Sequence, residues 1–177
     1  MPQTEVLPPA VARLAPDMTP SAFRTALRAA AGGVMVITTG KGGDRTGATV
    51  TSASGLSLDP PTMMVAINRS SSTAPVLRKY GAFCANIVSV TQQHVAERFS
   101  GKDGVKGADR YAGASWTELL TGAPVLVGAV TAIDCEVEEI IERHSHQIVI
   151  GAVRAVFASG GIPLVYQDGQ YRHLPSR

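Results

Sequence analysis

Thr46 to Thr73 reads TGATVTSASGLSLDPPTMMVAINRSSST, the most informative stretch of the chain. Its first half is built almost wholly of small residues: Gly47, Ala48, Thr49, Val50, Thr51, Ser52, Ala53 and Ser54. As a strand, such a run lets a flat molecule lie close to the backbone, whose N–H and C=O groups would meet the edge of a heterocycle; it equally lets a second element pack tightly on the sheet. Asp59-Pro60-Pro61 stops that strand, and TMMVAIN, a short apolar run, follows as a buried strand. Asn68-Arg69-Ser70-Ser71-Ser72-Thr73 then lies between this strand and a helix start. Hydroxyls, free N–H groups at a helix N-terminus and one guanidinium suit a phosphate. The same residues also suit a plain capping turn, with Ser72 or Thr73 as N-cap.

Upstream, VMVITTG and KGGDRTG complete a hairpin with the small-residue strand. Before it, Thr19-Pro20 followed by SAFRTALRAAA predicts a helix with Phe23, Leu27 and Ala30 on one face, ended by Gly32-Gly33. Residues 1–18 hold four prolines and no apolar run of signal-peptide length, so they are expected to form a disordered tail ahead of a single domain over 19–177. Downstream come a helix in APVLRKYG, a strand in FCANIVS and a helix in TQQHVAERFS with Val95 and Phe99 at i,i+4. GKDGVKGADRYAGASW reads as a loop or lid. VLVGAVTAIDCEVEEII and HQIVIGAVRAVFAS are long β runs placed to pair antiparallel, and PLVYQDGQYRHL closes as a hairpin. In IDCEVEEII, Asp134, Glu136 and Glu138 alternate with Ile133, Cys135 and Val137, giving one polar face.

Many β runs, few helices and no βαβ rhythm predict a mainly β protein, an antiparallel barrel with a few helices packed outside it. No GxGxxG opens a helix after a strand, so a Rossmann dinucleotide site is not expected. Net charge is +2 with basic residues scattered, which speaks against a nucleic-acid surface. No run approaches the ~20 apolar residues of a membrane span, and Cys84 and Cys135 have no metal-ligand spacing. A soluble, cytoplasmic protein with reduced thiols is expected.

The chain from Phe23 to Leu174 resembles the flavin reductase-like, FMN-binding split-barrel proteins, which supply reduced flavin to two-component monooxygenases. The likeness rests on GATVTSASGLSLDPPTMMVAIN, FCANIVSVTQQHVAERFSG, AIDCEVEEIIERHSHQIVIGAV and PLVYQDGQYRHL, in the family's order and spacing. It implies an antiparallel split β-barrel of Greek-key type and an NAD(P)H:flavin oxidoreductase. FMN, with FAD as the alternative, would be the flavin, NADH or NADPH the hydride donor, and a diffusible flavin the link to a monooxygenase component. It implies a homodimer. It also implies that Thr49, Val50, Thr51 and Ser52 border the isoalloxazine, that Asn68, Arg69, Ser70, Ser71, Ser72 and Thr73 hold the ribityl phosphate, and that Phe99, Ser100 and Tyr171 lie near the cofactor. His146 matches the histidine that lies beside flavin and nicotinamide in relatives. Many relatives read Gly-Asp-His where this chain reads His144-Ser145-His146. If this segment is strand, Ser145 points away from His146.

In the same register His144, His146 and Glu142 would share a face, but a third and fourth metal ligand are not visible, so no metal is assigned. Cys84 and Cys135 read as small buried apolar residues. Tyr111 and Trp116 either cap the flavin or anchor the long loop to the barrel, anchoring being the commoner use. Two other classes share the same pocket requirements. One is a tightly flavin-bound single-component oxidoreductase or electron carrier; the other is a non-enzymatic module binding flavin or haem.

Overall fold

The computed structural model describes residues 19–175; the expected tail over 1–18 lies outside them. Thr19 accepts the Ala22 N–H on Oγ1 at 3.2 Å and Pro20 takes the first helical position, so helix α1 spans Pro20–Leu27. It is shorter than its apolar pattern suggested, and no residue of it is buried: Phe23 and Leu27 are more than half exposed. The predicted apolar face therefore exists but is not covered by any of the described residues.

The strands are β1 (Gly32–Gly33), β2 (Met35–Thr39), β3 (Thr46–Val50), β4 (Ala53–Leu58), β5 (Pro61–Asn68), β6 (Ala82–Ile87), β7 (Trp116–Glu118), β8 (Pro124–Leu126), β9 (Thr131–Arg143), β10 (His146–Ala158), β11 (Leu164–Gln167) and β12 (Gln170–His173). Helix α2 covers Thr73–Tyr80 and α3 covers Gln93–Phe99. Seven strands form one antiparallel sheet in the order β3-β2-β6-β9-β10-β5-β4, and β1-β11-β12 and β7-β8 form two small sheets.

ATVTSASGLSL is two strands, not one. It breaks at Thr51-Ser52 into β3, which pairs β2, and β4, which pairs β5. These are the two edges of the seven-stranded sheet. Six spacings of a flat sheet would separate those edges by about 29 Å, whereas the three peptide units from Val50 to Ala53 reach about 11 Å. The sheet must curl to let one short link join its edges. Among the described residues β3 and β4 do not ladder with each other, so the barrel stays split, as the mainly β antiparallel reading required.

Alternation along β2 feeds two cores. Val36 faces a cluster with Val95, Phe99, Tyr111 and Leu126, outside the sheet, while Ile37 faces the barrel interior with Val65, Leu77, Phe83 and Val149. Helix α3 supplies Val95 and Phe99 to the outer cluster at the predicted i,i+4 spacing.

β9 and β10 pair over almost their full length, with register shifts at Ile150/Gly151 and Val153/Ala155. These bulges break the simple alternation read in IDCEVEEII. Asp134, expected on a solvent face, is fully buried because Thr121 folds over it, its backbone N–H donating to Oδ2 at 2.8 Å and its hydroxyl to Oδ1. Both cysteines are buried and free. Burial pushes the Cys135 thiol up to about 12 and the Cys84 thiol well above its usual value, with Asp134 adding to both, so neither is a nucleophile at neutral pH.

The long glycine-rich segment is a wall rather than a lid at its far end. Tyr111 is buried, its hydroxyl donates to the Thr46 carbonyl at 2.6 Å, and Trp116 Nε1 donates to the Tyr111 carbonyl at 3.0 Å. Tyr111 packs edge-on against both Phe99 and Trp116, and Phe99 meets Trp116 at a tilt, with centroids 4.7 to 5.5 Å apart. Tyr111 and Trp116 thus anchor the segment.

Candidate functional site

Two cavities collect most of the residues singled out from the sequence. The first, of about 730 Å³, is lined by Arg69, Ser70, Ser71 and Ser72 together with Arg78, Lys106, Arg110, Glu142 and Gln147. The loop that frames it is built from its own side chains. Asn68 Oδ1 accepts the Ser70 N–H at 2.9 Å and the Ser70 hydroxyl at 2.8 Å, while the Asn68 carbonyl accepts the Ser71 N–H and hydroxyl. Arg69 ties the loop to the β9–β10 hairpin tip, its N–H donating to the Ser145 carbonyl at 2.9 Å and Nη1 to the His144 carbonyl at 3.1 Å.

The capping alternative for this loop is not what forms. Ser72 stands at the N-cap of α2 in a helical conformation with no side-chain cap, and Thr73, fully buried, leaves its hydroxyl without a partner. Gln147, also fully buried, accepts from Arg78 Nη2 on Oε1 at 2.7 Å but has no acceptor for Nε2. An uncapped helix start, unpaired buried polar atoms and clustered guanidinium and ammonium groups fit an anionic group such as a phosphate. Asn68 and Thr73 brace this cavity rather than line it.

The second cavity, about 190 Å³, brings Thr49, Val50, Thr51, Ser100 and Tyr171 together with Val34, Lys102 and Tyr166. Thr49 Oγ1 donates to the Ala96 carbonyl of α3 at 2.6 Å, and Ser100 Oγ donates to the Glu97 carbonyl at 2.6 Å, which fixes the helix end against β3. Tyr171 packs edge-on to Tyr166, with centroids 5.2 Å apart. Burial, then Glu97 and Tyr166, raises the Tyr171 hydroxyl pKa, so it stays a donor at neutral pH. As an edge strand, β3 points half its backbone N–H and C=O groups away from β2. The segment from Ser100 to Arg110 walls both cavities, giving Ser100 and Lys102 to one and Lys106 and Arg110 to the other.

Ser52 lines a third cavity of about 600 Å³ with Thr51, Tyr166, Arg24 and Arg28, and its hydroxyl donates to the Ala66 carbonyl at 3.0 Å. Phe99 lines none of the three. It is buried behind β3, where a Cβ on Gly47 would lie 2.8 Å from its ring and against the Ile37 carbonyl. The glycine at 47 thus serves helix packing, and the open stretch of the strand begins at Thr49.

His146 is exposed at the start of β10, opposite Asn68 on β5 and Arg143 on β9. In this chain it sits at the end of the sheet that carries the Asn68–Thr73 loop and lines none of the three cavities. Residues His144 and Ser145 form the two-residue turn between β9 and β10, His144 with φ +49°, so His144 and His146 do not share a strand face. The expectation that Ser145 points away also fails: its hydroxyl lies 2.9 Å from His146 Nδ1. The turn rotates the side chains out of strand alternation.

Arg78, Lys106, Arg110 and Gln147 were missed, and Glu142 was considered only beside His144 and His146 as a metal ligand. Arg78 lies on α2 beyond the loop; the i,i+4 pair Lys106 and Arg110 in a glycine-rich segment was a readable cation signal. Burial draws the Arg110 pKa down, and the side chain reaches Val105 and Gly47 carbonyls.

The sequence model of the flavin reductase like domain matches residues 27–175. An FMN reductase (NADH) RutF 2 of Methylorubrum extorquens (strain PA1) is 40% identical over 156 residues, 88% of this chain and 90% of that protein. The FMN reductase (NADH) RutF of Pseudomonas syringae pv. syringae (strain B728a) is 38% identical over 88% of this chain and 86% of its own. Among solved structures, a nitrilotriacetate monooxygenase component B from Mycobacterium thermoresistibile superposes with TM-score 0.79 at 31% identity, covering 88% of this chain and 86% of that one. BorF, the flavin reductase component of a bacterial two-component tryptophan halogenase, superposes with TM-score 0.81 at 28% identity, covering 89% and 99%.

Proposed function

We propose, because the chain belongs to the flavin reductase-like family, that it is an NADH-dependent reductase of FMN whose reduced flavin serves a separate monooxygenase. The relatives named FMN reductase (NADH) support the donor and the flavin, and the nitrilotriacetate monooxygenase component B and the reductase component of a two-component halogenase among the solved structures support the partner. The observation that carries the reading is the phosphate cavity: an uncapped α2 start and an unpaired Gln147 amide beside Arg69, Arg78, Lys106 and Arg110. A receptor with that surplus of donors discriminates a phosphorylated flavin from a neutral planar ligand.

In this reading Arg69 to Ser72 and the α2 start hold the ribityl phosphate, while Thr49 to Thr51, Ser100 and Tyr171 border the ring. Bound flavin supplies the two-electron chemistry by accepting hydride from the nicotinamide. The chain's part is to fix the ring edge against β3, to place backbone donors where negative charge gathers, and to keep Tyr171 as a neutral donor. His146, exposed beside the phosphate loop, is assigned to the nicotinamide nucleotide as a positioning group, hydride transfer itself needing no base there. Leu56 and Leu58 on β4 and Val156 and Phe157 on β10 leave apolar surface exposed, which supports a homodimer. Among the described residues no helix is long and apolar enough to cross a membrane.

The test is the rate of NADH oxidation at fixed low enzyme as FMN is raised from none to excess. A rate that climbs and saturates with many turnovers per enzyme is expected. No oxidation at any FMN level, with FAD and NADPH tried as well, would move the assignment to a non-enzymatic flavin-binding module.

A further inference from the structure

Among the residues lining the phosphate cavity, Arg69, Arg78, Lys106 and Arg110 are cationic and Glu142 alone is acidic. Glu142 stands on β9 opposite Gln147, and its two oxygens grip separate arginines: Oε2 lies 2.8 Å from Arg69 Nη2 and Oε1 2.7 Å from Arg78 Nη2. Two oxygens of one anion bridging two guanidiniums is the arrangement a phosphate would make with the same pair. Each arginine has a second anchor besides Glu142. Arg69 Nη1 is also held by the His144 carbonyl at 3.1 Å, and Arg78 Nη2 by Gln147 Oε1 at 2.7 Å. The carboxylate thus adds little orientation that is not already present, and it places a negative charge where an incoming anion must go.

We propose that Glu142 sets the affinity for the flavin: it occupies the Arg69–Arg78 pair as an internal stand-in for the phosphate and must give those guanidiniums up when a phosphate enters. The inference rests on the reading that a flavin phosphate binds in this cavity. Its consequence is an exchangeable flavin. A reductase that passes its flavin to another protein must let go of it, and affinity differences of this kind appear mostly in the dissociation rate.

The experiment is the dissociation constant of FMN and of riboflavin, which lacks the phosphate, measured by flavin fluorescence quenching for the unmodified chain and for Glu142→Gln. Glutamine keeps the side chain's size and removes its charge. The expected result is FMN bound about fivefold tighter in the variant, the weight of one half-exposed like charge removed from beside a phosphate, with riboflavin unchanged. FMN binding that is unchanged or weaker in the variant overturns the proposal, the weaker case marking Glu142 as an orienting group. Equal tightening of both flavins also overturns it, because the effect would not pass through the phosphate. An unmodified chain that binds neither flavin would sink the flavin reading itself, a different failure from the preceding ones.

Discussion

The phosphate end and the ring end of the candidate site are made in opposite ways. At the phosphate end a six-residue loop folds on itself: Asn68 binds Ser70 and Ser71 through its own side chain and carbonyl. At the ring end the wall is assembled from segments far apart in sequence: Val34 beside β2, Thr49 to Thr51 from β3, Ser100 and Lys102 after α3, Tyr166 from β11 and Tyr171 from β12. The loop of the first is held by local polar bonds, with Arg78, Lys106, Arg110 and Gln147 reaching it from other elements, whereas the whole of the second rests on the packed core behind it. Damage to the core behind β3 should therefore weigh more on the ring end than on the loop.

The largest expected effect breaks that link. Phe99 fills the space between α3, Gly47 and the Tyr111–Trp116 pair. Phe99→Ala should cost about 3–5 kcal/mol of folding stability, read from urea unfolding. It should also weaken FMN and riboflavin alike, since the wall it backs contacts the ring that both share. A variant of full stability with lost flavin binding would instead make Phe99 a ligand-contacting residue.

A smaller effect separates the two ends directly. Arg69→Ala removes one charge-assisted donor that is half exposed, worth about 1.5 kcal/mol, roughly a tenfold weaker FMN complex. Riboflavin should bind that variant as it binds the unmodified chain. Equal loss of both flavins in Arg69→Ala would show that the two cavities do not divide the ligand as assigned.

The contrast also explains what the sequence disclosed. The β2–β3 hairpin, the buried β5, the β9–β10 pair and α3 were legible because each rests on local periodicity and turn residues, as Val95 and Phe99 show. The loop that lines the first cavity was legible for the same reason: Asn68 to Ser72 are consecutive, so composition and placement before a helix suffice to single it out. Thr51-Ser52 was read as continuous strand because nothing local marks where a sheet must curl to join its edges; that constraint comes from β3 and β4 pairing with different partners. Arg78 and Gln147 reach one cavity from α2 and β10, and no short window contains both. His144 and Ser145 were misjudged because a two-residue turn and a strand look alike over three residues. At the ring end the small-residue strand with Thr49 to Thr51 could be singled out from its composition, but Ser100 and Tyr171 were reachable only through family likeness, since these residues meet by topology.

The smallest expected effect tests whether the phosphate end is as self-sufficient as it looks. Gln147 is one point where it leans on the barrel: fully buried on β10, it accepts from Arg78 and leaves Nε2 without a partner. A buried amide nitrogen without an acceptor costs stability in the free chain. An anion in the cavity would supply the missing acceptor. Gln147→Met keeps the volume and removes both amide atoms, so the free chain should be as stable as before or more stable by a few tenths of a kcal/mol, while FMN binding weakens by about threefold and riboflavin binding holds. Calorimetric unfolding and flavin titration of the same sample give both numbers. Loss of stability without loss of FMN affinity would mean that the amide serves Arg78 alone, and that the loop from Asn68 to Ser72 holds the phosphate with no help from the sheet.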